Sequence, residues 1–433
     1  MPPRHRSVRA TGCLLVAFCC PAGAYQLNYS LDMALGYSDN INQSATDPVG
    51  QAIAIPRLDF DFKEEGASLR VNALGQIEYR DYLQGDFGNE VRGQLSGVAT
   101  WIIVPHRLNF DFEDYAAVQP VDILAPNAPN NQQQTNVFTL GPTFDFRVYQ
   151  TLNGQAELRL TNSTASETKD FNSNRVLGAV RLIKDLNPLD QLSANVEYRD
   201  IHFTDASGGP DYSRIDGFVR YQSKLSQLDL DLAGGYSRVS FSGAGDDSGF
   251  IGRAVLTWRA TASNTFSLGV VRQFADASQD LVVDPAALVA AAQGTGIVVG
   301  SSAITPDVYL EDRFQAGYGY QSERFRVRID PYYKKLDYLL DPMLNQTSHG
   351  VVAGISYRMR PLWTLALDVT GERRDYGTID RRDEDRRYDL SFTDQLARHW
   401  SVRADLIRNE RKSTELDQGF RENIAFLTLI FKR

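Results

Sequence analysis

Cysteine is nearly absent. The chain of 433 residues has three, Cys13, Cys19 and Cys20, all within its first twenty positions. The remainder therefore has no disulfide, thiolate metal site or cysteine nucleophile to offer. Long hydrophobic runs are missing as well. Past the N-terminus no stretch approaches the ~18–20 strongly apolar residues of a membrane helix, so any crossing of a bilayer must be made by strands. A basic excess is missing too: 45 Lys and Arg face 54 Asp and Glu, a net charge of −9. That argues against a nucleic-acid partner, which calls for a basic face. Histidine is scarce, and His106, His202, His349 and His399 show no metal-ligand spacing. No nucleophile–histidine motif and no phosphate-binding glycine loop is present. No catalytic residue, metal or cofactor is expected.

What is present begins with an export signal over residues 1–24. Arg4, Arg6 and Arg9 make a basic start, Leu14–Cys20 a short apolar core, and Ala22-Gly23-Ala24 a small-residue cleavage site. Cleavage there leaves a chain of residues 25–433 with a net charge of −12. A lipoprotein signal does not fit, because Cys19 follows Phe18 where a small residue is needed.

The dominant pattern has a period of two. In Leu27-Asn28-Tyr29-Ser30-Leu31-Asp32-Met33-Ala34-Leu35-Gly36-Tyr37 each odd position is apolar or aromatic and each even one polar or small. Leu58–Lys63, Leu228–Leu232 and Phe325–Asp330 repeat the alternation. A strand gathers such residues on one face, whereas a helix scatters them. Short polar or proline-bearing turns are expected near Glu65, Pro105, Thr151, Pro188, Ser226, Ala262, Glu323, Pro361 and Arg398. Loops rich in Asn, Asp, Gly and Ser lie between them, at Asp39–Gly50, Asp81–Glu90, Thr204–Asp211, Ser242–Ser248 and Gly377–Asp385. Two longer insertions stand out, residues 117–134 and 277–306. The fold class that follows is all-β: a transmembrane antiparallel up-and-down β-barrel of about 20 strands (18–20), with short periplasmic turns and long external loops.

Aromatic placement agrees with that reading. Trp101, Trp258, Trp363 and Trp400 all stand beside short turns, as an interfacial girdle would. The last strand, Asn423–Phe431, puts Leu427, Leu429 and Phe431 on one face, with Lys432 and Arg433 following.

If the apolar positions face lipid, the alternate ones line the lumen. The pore-lining candidates are Arg70, Arg92, Arg159, Arg181, Arg199, Arg220, Arg253, Arg313, Arg326, Arg328, Arg358 and Arg403, with Asp59, Asp61, Glu157, Glu197 and Asp330 among the acids. Two uses compete for them. Cross-strand ion pairs rigidify a wide barrel, and arginine forks guide an anionic or hydroxyl-rich solute. Twenty strands imply a backbone diameter of roughly 40 Å, which side chains alone do not fill, so the lumen is a pore or is plugged. Pro285–Thr305, uncharged and rich in alanine and glycine, is the candidate plug. The charged run Glu372–Arg387 reads as a solvated loop able to reach lipopolysaccharide phosphates.

At Gly36-Tyr37-Ser38-Asp39-Asn40-Ile41-Asn42-Gln43, followed by Tyr79-Arg80-Asp81-Tyr82, the chain resembles the outer-membrane β-barrel porin family (porin type 2). That group includes the EpsL-like proteins of exopolysaccharide operons and exosortase-associated outer-membrane proteins. The resemblance covers about the first sixty residues after the signal and carries no functional residue with it. It implies a bacterial outer-membrane location and a role in exopolysaccharide export or cell-surface assembly. The partners it suggests are membrane lipid and lipopolysaccharide, extracellular polysaccharide, a periplasmic export partner and the barrel-assembly machinery. A general diffusion porin is the main alternative. A barrel enzyme using His202 or His349, and a structural or adhesive barrel, stand behind it.

Overall fold

Alternation obliges Leu27–Tyr37 to be extended if its apolar face is to be shared with neighbours, and in the computed structural model it lies within β1 (Tyr25–Ser38). The structure describes residues 25–205, 208–243, 245–282 and 303–433. The signal segment falls outside them, as does most of the candidate plug, residues 285–302. Nine further strands follow: β2 (Gln51–Glu65), β3 (Leu69–Tyr82), β4 (Glu90–Val104), β5 (Leu108–Pro120), β6 (Gln132–Tyr149), β7 (Leu152–Ala165), β8 (Ser173–Asp185), β9 (Asp190–Phe203) and β10 (Tyr212–Lys224). Then come β11 (Leu228–Phe241), β12 (Asp246–Arg259), β13 (Asn264–Asp276), a short helix α1 (Ala277–Leu281), β14 (Val308–Gln321) and β15 (Phe325–Tyr338). The chain ends with β16 (Gln346–Arg360), β17 (Trp363–Tyr376), β18 (Arg381–Gln395), β19 (Trp400–Ser413) and β20 (Phe420–Lys432).

Each strand pairs antiparallel with the next, and β1 pairs with β20 from Ser30 opposite Lys432 to Ser38 opposite Ile424. The sheet is thus a closed barrel of 20 strands, which leaves no row of unpaired backbone groups at an edge. Short turns join the strands at one rim, at 66–68, 105–107, 150–151, 186–189, 225–227, 260–263, 322–324, 361–362 and 396–399. They coincide with the turns read from the sequence. His106 takes φ 59° in one of them. Register shifts at Ile102/Val104, Arg147/Tyr149 and Arg358/Arg360 sit beside three of them.

The outer face carries the apolar half of the alternation. Leu31, Leu35, Val180, Val196, Leu406 and Leu427 are all exposed there, with Trp101, Trp258 and Trp400 exposed near the short-turn rim. The inner face changes character along the barrel axis. Toward the short turns Arg70, Arg326, Arg328 and Arg358 are open to solvent. Toward the long loops the interior is packed into four buried clusters.

Several loop boundaries differ from the sequence reading, and the insertion read as 117–134 narrows to 121–131 because β5 runs to Pro120 and β6 starts at Gln132. Most of Glu372–Arg387 is not loop: β17 runs to Tyr376 and β18 starts at Arg381, leaving 377–380 as the turn. Composition suggested solvation, but alternating arginine and carboxylate also pair across strands: Arg374 faces Asp383 and Asp375 faces Arg382. The strands therefore continue well beyond their apolar segments. For the same reason β12 begins at Asp246, inside the predicted loop Ser242–Ser248.

Candidate functional site: the inner wall and its inward loops

Alternation brings arginine and carboxylate to the same face whenever they are two residues apart, and this spacing recurs along the wall. Glu157 and Arg159 pair at 3.3 Å, Glu197 and Arg199 at 2.6 Å, Arg403 and Asp405 at 2.7 Å, Arg328 and Asp330 at 3.0 Å, and Arg57 and Asp59 at 3.1 Å. Between strands the pairs join into a ladder. Asp111 on β5 meets Arg159 on β7 at 2.7 Å. Arg181 on β8 bridges Glu157 and Glu197. Arg199 passes the chain on to Asp216 on β10 at 2.7 Å, which Arg214 also meets at 3.0 Å. A second ladder joins Arg220, Asp231 and Arg253 across β10–β12. Arg92 pairs with Glu90, and Arg313 with Glu311. Of the sequence candidates, Arg70, Asp61, Arg326 and Arg358 share this inner face near the short-turn rim, outside the ladders.

At the other rim the β5–β6 connection and the two described ends of the β13–β14 connection turn inward. The β5–β6 connection, residues 121–131, is stapled at its base by Asn131, whose Nδ2 donates to the carbonyls of Asp122 (2.8 Å) and Pro126 (2.9 Å). It crosses to the far wall. Ile123 is buried against Tyr309, Tyr338 and Tyr376 of β14, β15 and β17. Arg381 of β18 donates Nη2 to the Leu124 carbonyl at 2.5 Å, and Arg411 of β19 donates Nη1 to that of Ala125 at 3.3 Å. Both arginines are held in turn, Arg381 by Asp383 and Arg411 by Asp385. We call this pair of contacts the arginine latch.

The β13–β14 connection enters from its own end. Asp276 caps α1 by accepting from the amides of Ser278 (2.9 Å) and Gln279 (3.2 Å). Its other oxygen accepts from Arg175 (2.7 Å) and the Tyr212 hydroxyl (2.6 Å). Ala277 and Leu281 are buried against Tyr115, Val137 and Phe171, and the Lys334 ammonium lies 3.3 Å from Asp280. At the far end Ala303 and Ile304 are buried in the lumen, with the Ala303 amide donating to the Tyr338 hydroxyl at 3.0 Å. Asp307, next along, accepts from the amides of Leu340 and Asp341. Burial pushes its carboxyl above the usual carboxylate range, although those amides pull it back.

Between the inward β5–β6 loop and the wall of β1–β4 and β17–β20 lies a cavity of about 410 Å³. It reaches from Gln43 and Phe420 at the long-loop end down to Arg403 and Thr428. Arg57, Arg80, Arg92, Arg374, Arg403 and Arg411 line it, interleaved with Asp32, Glu78, Glu372, Asp385 and Asp405. A wall of this kind offers fork-shaped donors and acceptors in near balance, suited to many weak contacts with a hydroxyl-rich or mildly anionic solute. Sequence reasoning found Arg92 and Arg403 here and missed Arg57, Arg80, Arg374, Arg387 and Arg411. The usable signal was the acid–x–Arg or Arg–x–acid spacing, which all but Arg411 carry.

The Tyr37–Gln43 segment closes the barrel. The Ser38 hydroxyl donates to Glu422 of β20 at 2.7 Å, and Gln43, at φ 51°, donates to the same carboxylate at 3.0 Å. Asp39 accepts from the backbone and side-chain amides of Asn423, both at 2.7 Å, and Asn40 donates to the Arg421 carbonyl at 2.8 Å. Tyr82, from the other half of the resemblance, is buried beside Ile41 and Ile53. The motif thus clasps the first strand to the last at the mouth of the cavity.

The histidines stand apart. His202, on β9, pairs with Asp211 at 2.5 Å, His349 lies on β16, and His399 contacts the Lys432 carbonyl at 2.8 Å. Among the described residues no group of His, Cys, Asp and Glu is arranged to hold a metal, and no helix is long and apolar enough to cross a membrane.

No family model matches the chain, and no curated protein matches it. Among solved structures it is similar to a ferric enterobactin receptor of Pseudomonas aeruginosa at 8% identity and a TM-score of 0.49, covering 95% of this chain and 81% of that one. It is also similar to the FrpB iron transporter of Neisseria meningitidis, at 9% identity, a TM-score of 0.47, and coverage of 95% and 83%. The siderophore receptor PirA of Pseudomonas aeruginosa matches at 11% identity, a TM-score of 0.45, and coverage of 95% and 81%.

Proposed function

We propose that the chain is a gated channel of the bacterial outer membrane that passes a hydrated, hydroxyl-rich chain, and that it serves exopolysaccharide export. The observation that carries the gate is the arginine latch: Arg381 and Arg411 hold the carbonyls of an inward loop against the wall beside a charged cavity. The membrane setting is supported by the closed barrel, which satisfies its own backbone, and by an outer face of apolar side chains. In that setting the long loops face outward and the short turns face the periplasm, where an export partner would dock. The choice of polysaccharide rests on the resemblance at Gly36–Gln43 and Tyr79–Tyr82. A diffusion porin for small solutes is the second reading, favoured by the open, arginine-lined half of the lumen near the short turns.

Planar-bilayer recording separates the two. The wild-type chain is expected to conduct rarely, and R381Q/R411Q, which frees the loop, to open several-fold more often. A wild type that is steadily open, with R381Q/R411Q unchanged, sinks the gate and favours the porin. In cells, deleting the gene should reduce extracellular polymer; undiminished polymer rules out the export role.

A further inference from the structure

We propose that the outward face of β17–β20 at the long-loop rim is a docking surface for phosphorylated lipid headgroups of the surrounding leaflet. The inference rests on the membrane reading above. Six cations stand on this face: Arg373, Arg382, Arg386, Arg408, Lys412 and Arg421. Strand register sets them in rows, with Arg373 and Lys412 both opposite Glu384, and Arg386 and Arg421 both opposite Glu410. Three carboxylates of the same strands stand among them, and Asp380 of the β17–β18 turn adds a negative charge near Arg382. Asp375 is shared by Arg373 (3.2 Å) and Arg382 (2.6 Å). Glu410 is shared by Arg408 (4.0 Å) and Arg421 (3.4 Å), and Glu384 meets Arg386 at 3.5 Å. On the strands themselves cations therefore outnumber carboxylates six to three.

Other outward strand cations at this rim pair one to one: Arg238 with Asp246 (2.5 Å), Arg272 with Asp312 (2.7 Å) and Lys335 with Asp337 (2.7 Å). Inward pairing does not account for the surplus either, because these side chains lie on the opposite face from Arg374, Asp385 and Arg411. Exposure leaves them available: 37% for Arg373, 50% for Arg382, 46% for Arg386, 47% for Arg408 and 67% for Arg421. On the same face, one step toward the short turns, Tyr388, Leu390 and Leu406 are exposed apolar groups. Cations thus stand where an apolar band ends, at the level of headgroups rather than acyl chains. Guanidinium forks match the geometry of phosphate oxygens, and near a membrane surface each cation contributes roughly fivefold to the affinity for an anionic lipid.

The test uses the full barrel inserted into phosphatidylcholine vesicles carrying equal amounts of bisphosphorylated lipid A and its dephosphorylated form. Lipid retained after mild detergent release is counted by native mass spectrometry. The wild type should retain the phosphorylated form preferentially. R382Q/R386Q/R421Q should lower that preference by on the order of a hundredfold, and D375N/E410Q, which removes carboxylates instead, should raise it. Inserted wild type that retains both lipids equally overturns the inference and leaves the membrane reading standing. So does a preference that neither variant moves. A barrel that does not insert at all overturns both.

Discussion

At the residue scale the inner wall is governed by one rule: charges two residues apart in a strand share a face and neutralise one another. Acid and arginine at that spacing, such as Glu157 with Arg159 and Arg403 with Asp405, are visible in the sequence. The cross-strand partners, Asp111 with Arg159 and Arg199 with Asp216, are not, because they depend on register. Asp276 is the sharpest case. It is buried, caps α1, and engages Arg175 and Tyr212 at once. Removing it leaves Arg175 desolvated without its carboxylate. Asp276→Ala is expected to destabilise the barrel by about 3–5 kcal/mol, read by urea titration in lipid vesicles with tryptophan fluorescence. A loss below about 1 kcal/mol, the usual worth of an exposed pair, would show that α1 is not anchored through this residue.

At the element scale the two insertions matter more than any strand. Both were recognisable by length, and Pro285–Thr305 by composition, but nothing in residues 121–131 announced that the loop crosses to β18 and β19. Its anchors are two backbone carbonyls, and a carbonyl carries no sequence signature. The β13–β14 connection has a pH dependence of its own. Asp307 has its carboxyl raised by burial, so the folded chain holds that proton more tightly than the unfolded one. Its contribution is fully present below the ordinary carboxylate pKa and is lost as pH rises through the raised value. The wild type should therefore gain stability relative to Asp307→Asn as pH falls from 7 toward 4, measured by unfolding titrations at a series of pH values. A gap independent of pH would mean that Asp307 is not buried as a carboxylate.

At the scale of the whole molecule, stability depends on closure. The seam between β1 and β20 is held by paired backbone and by the Ser38, Asp39, Asn40 and Gln43 clasp on Glu422, Arg421 and Asn423. A chain ending at Ser413 lacks β20 and exposes two strand edges, which favour pairing between molecules. It is expected to lose the heat-modifiable, fast-migrating band of a folded barrel on gels and to aggregate; a folded band from that truncation would contradict the closed topology. Strand number, strand type and the positions of the short turns were determined by the sequence alone, because alternation and turn residues are local and a barrel needs little else to specify its hairpins. The sequence also fixed which side chains share the inner face, since parity along a strand does not depend on the partner. Only the tertiary structure decided which charges meet, where the lumen is packed, and how far β17 and β18 extend past their apolar segments. Those outcomes depend on register, on loops returning across the barrel, and on carbonyl contacts between residues more than two hundred and fifty positions apart, such as Leu124 and Arg381.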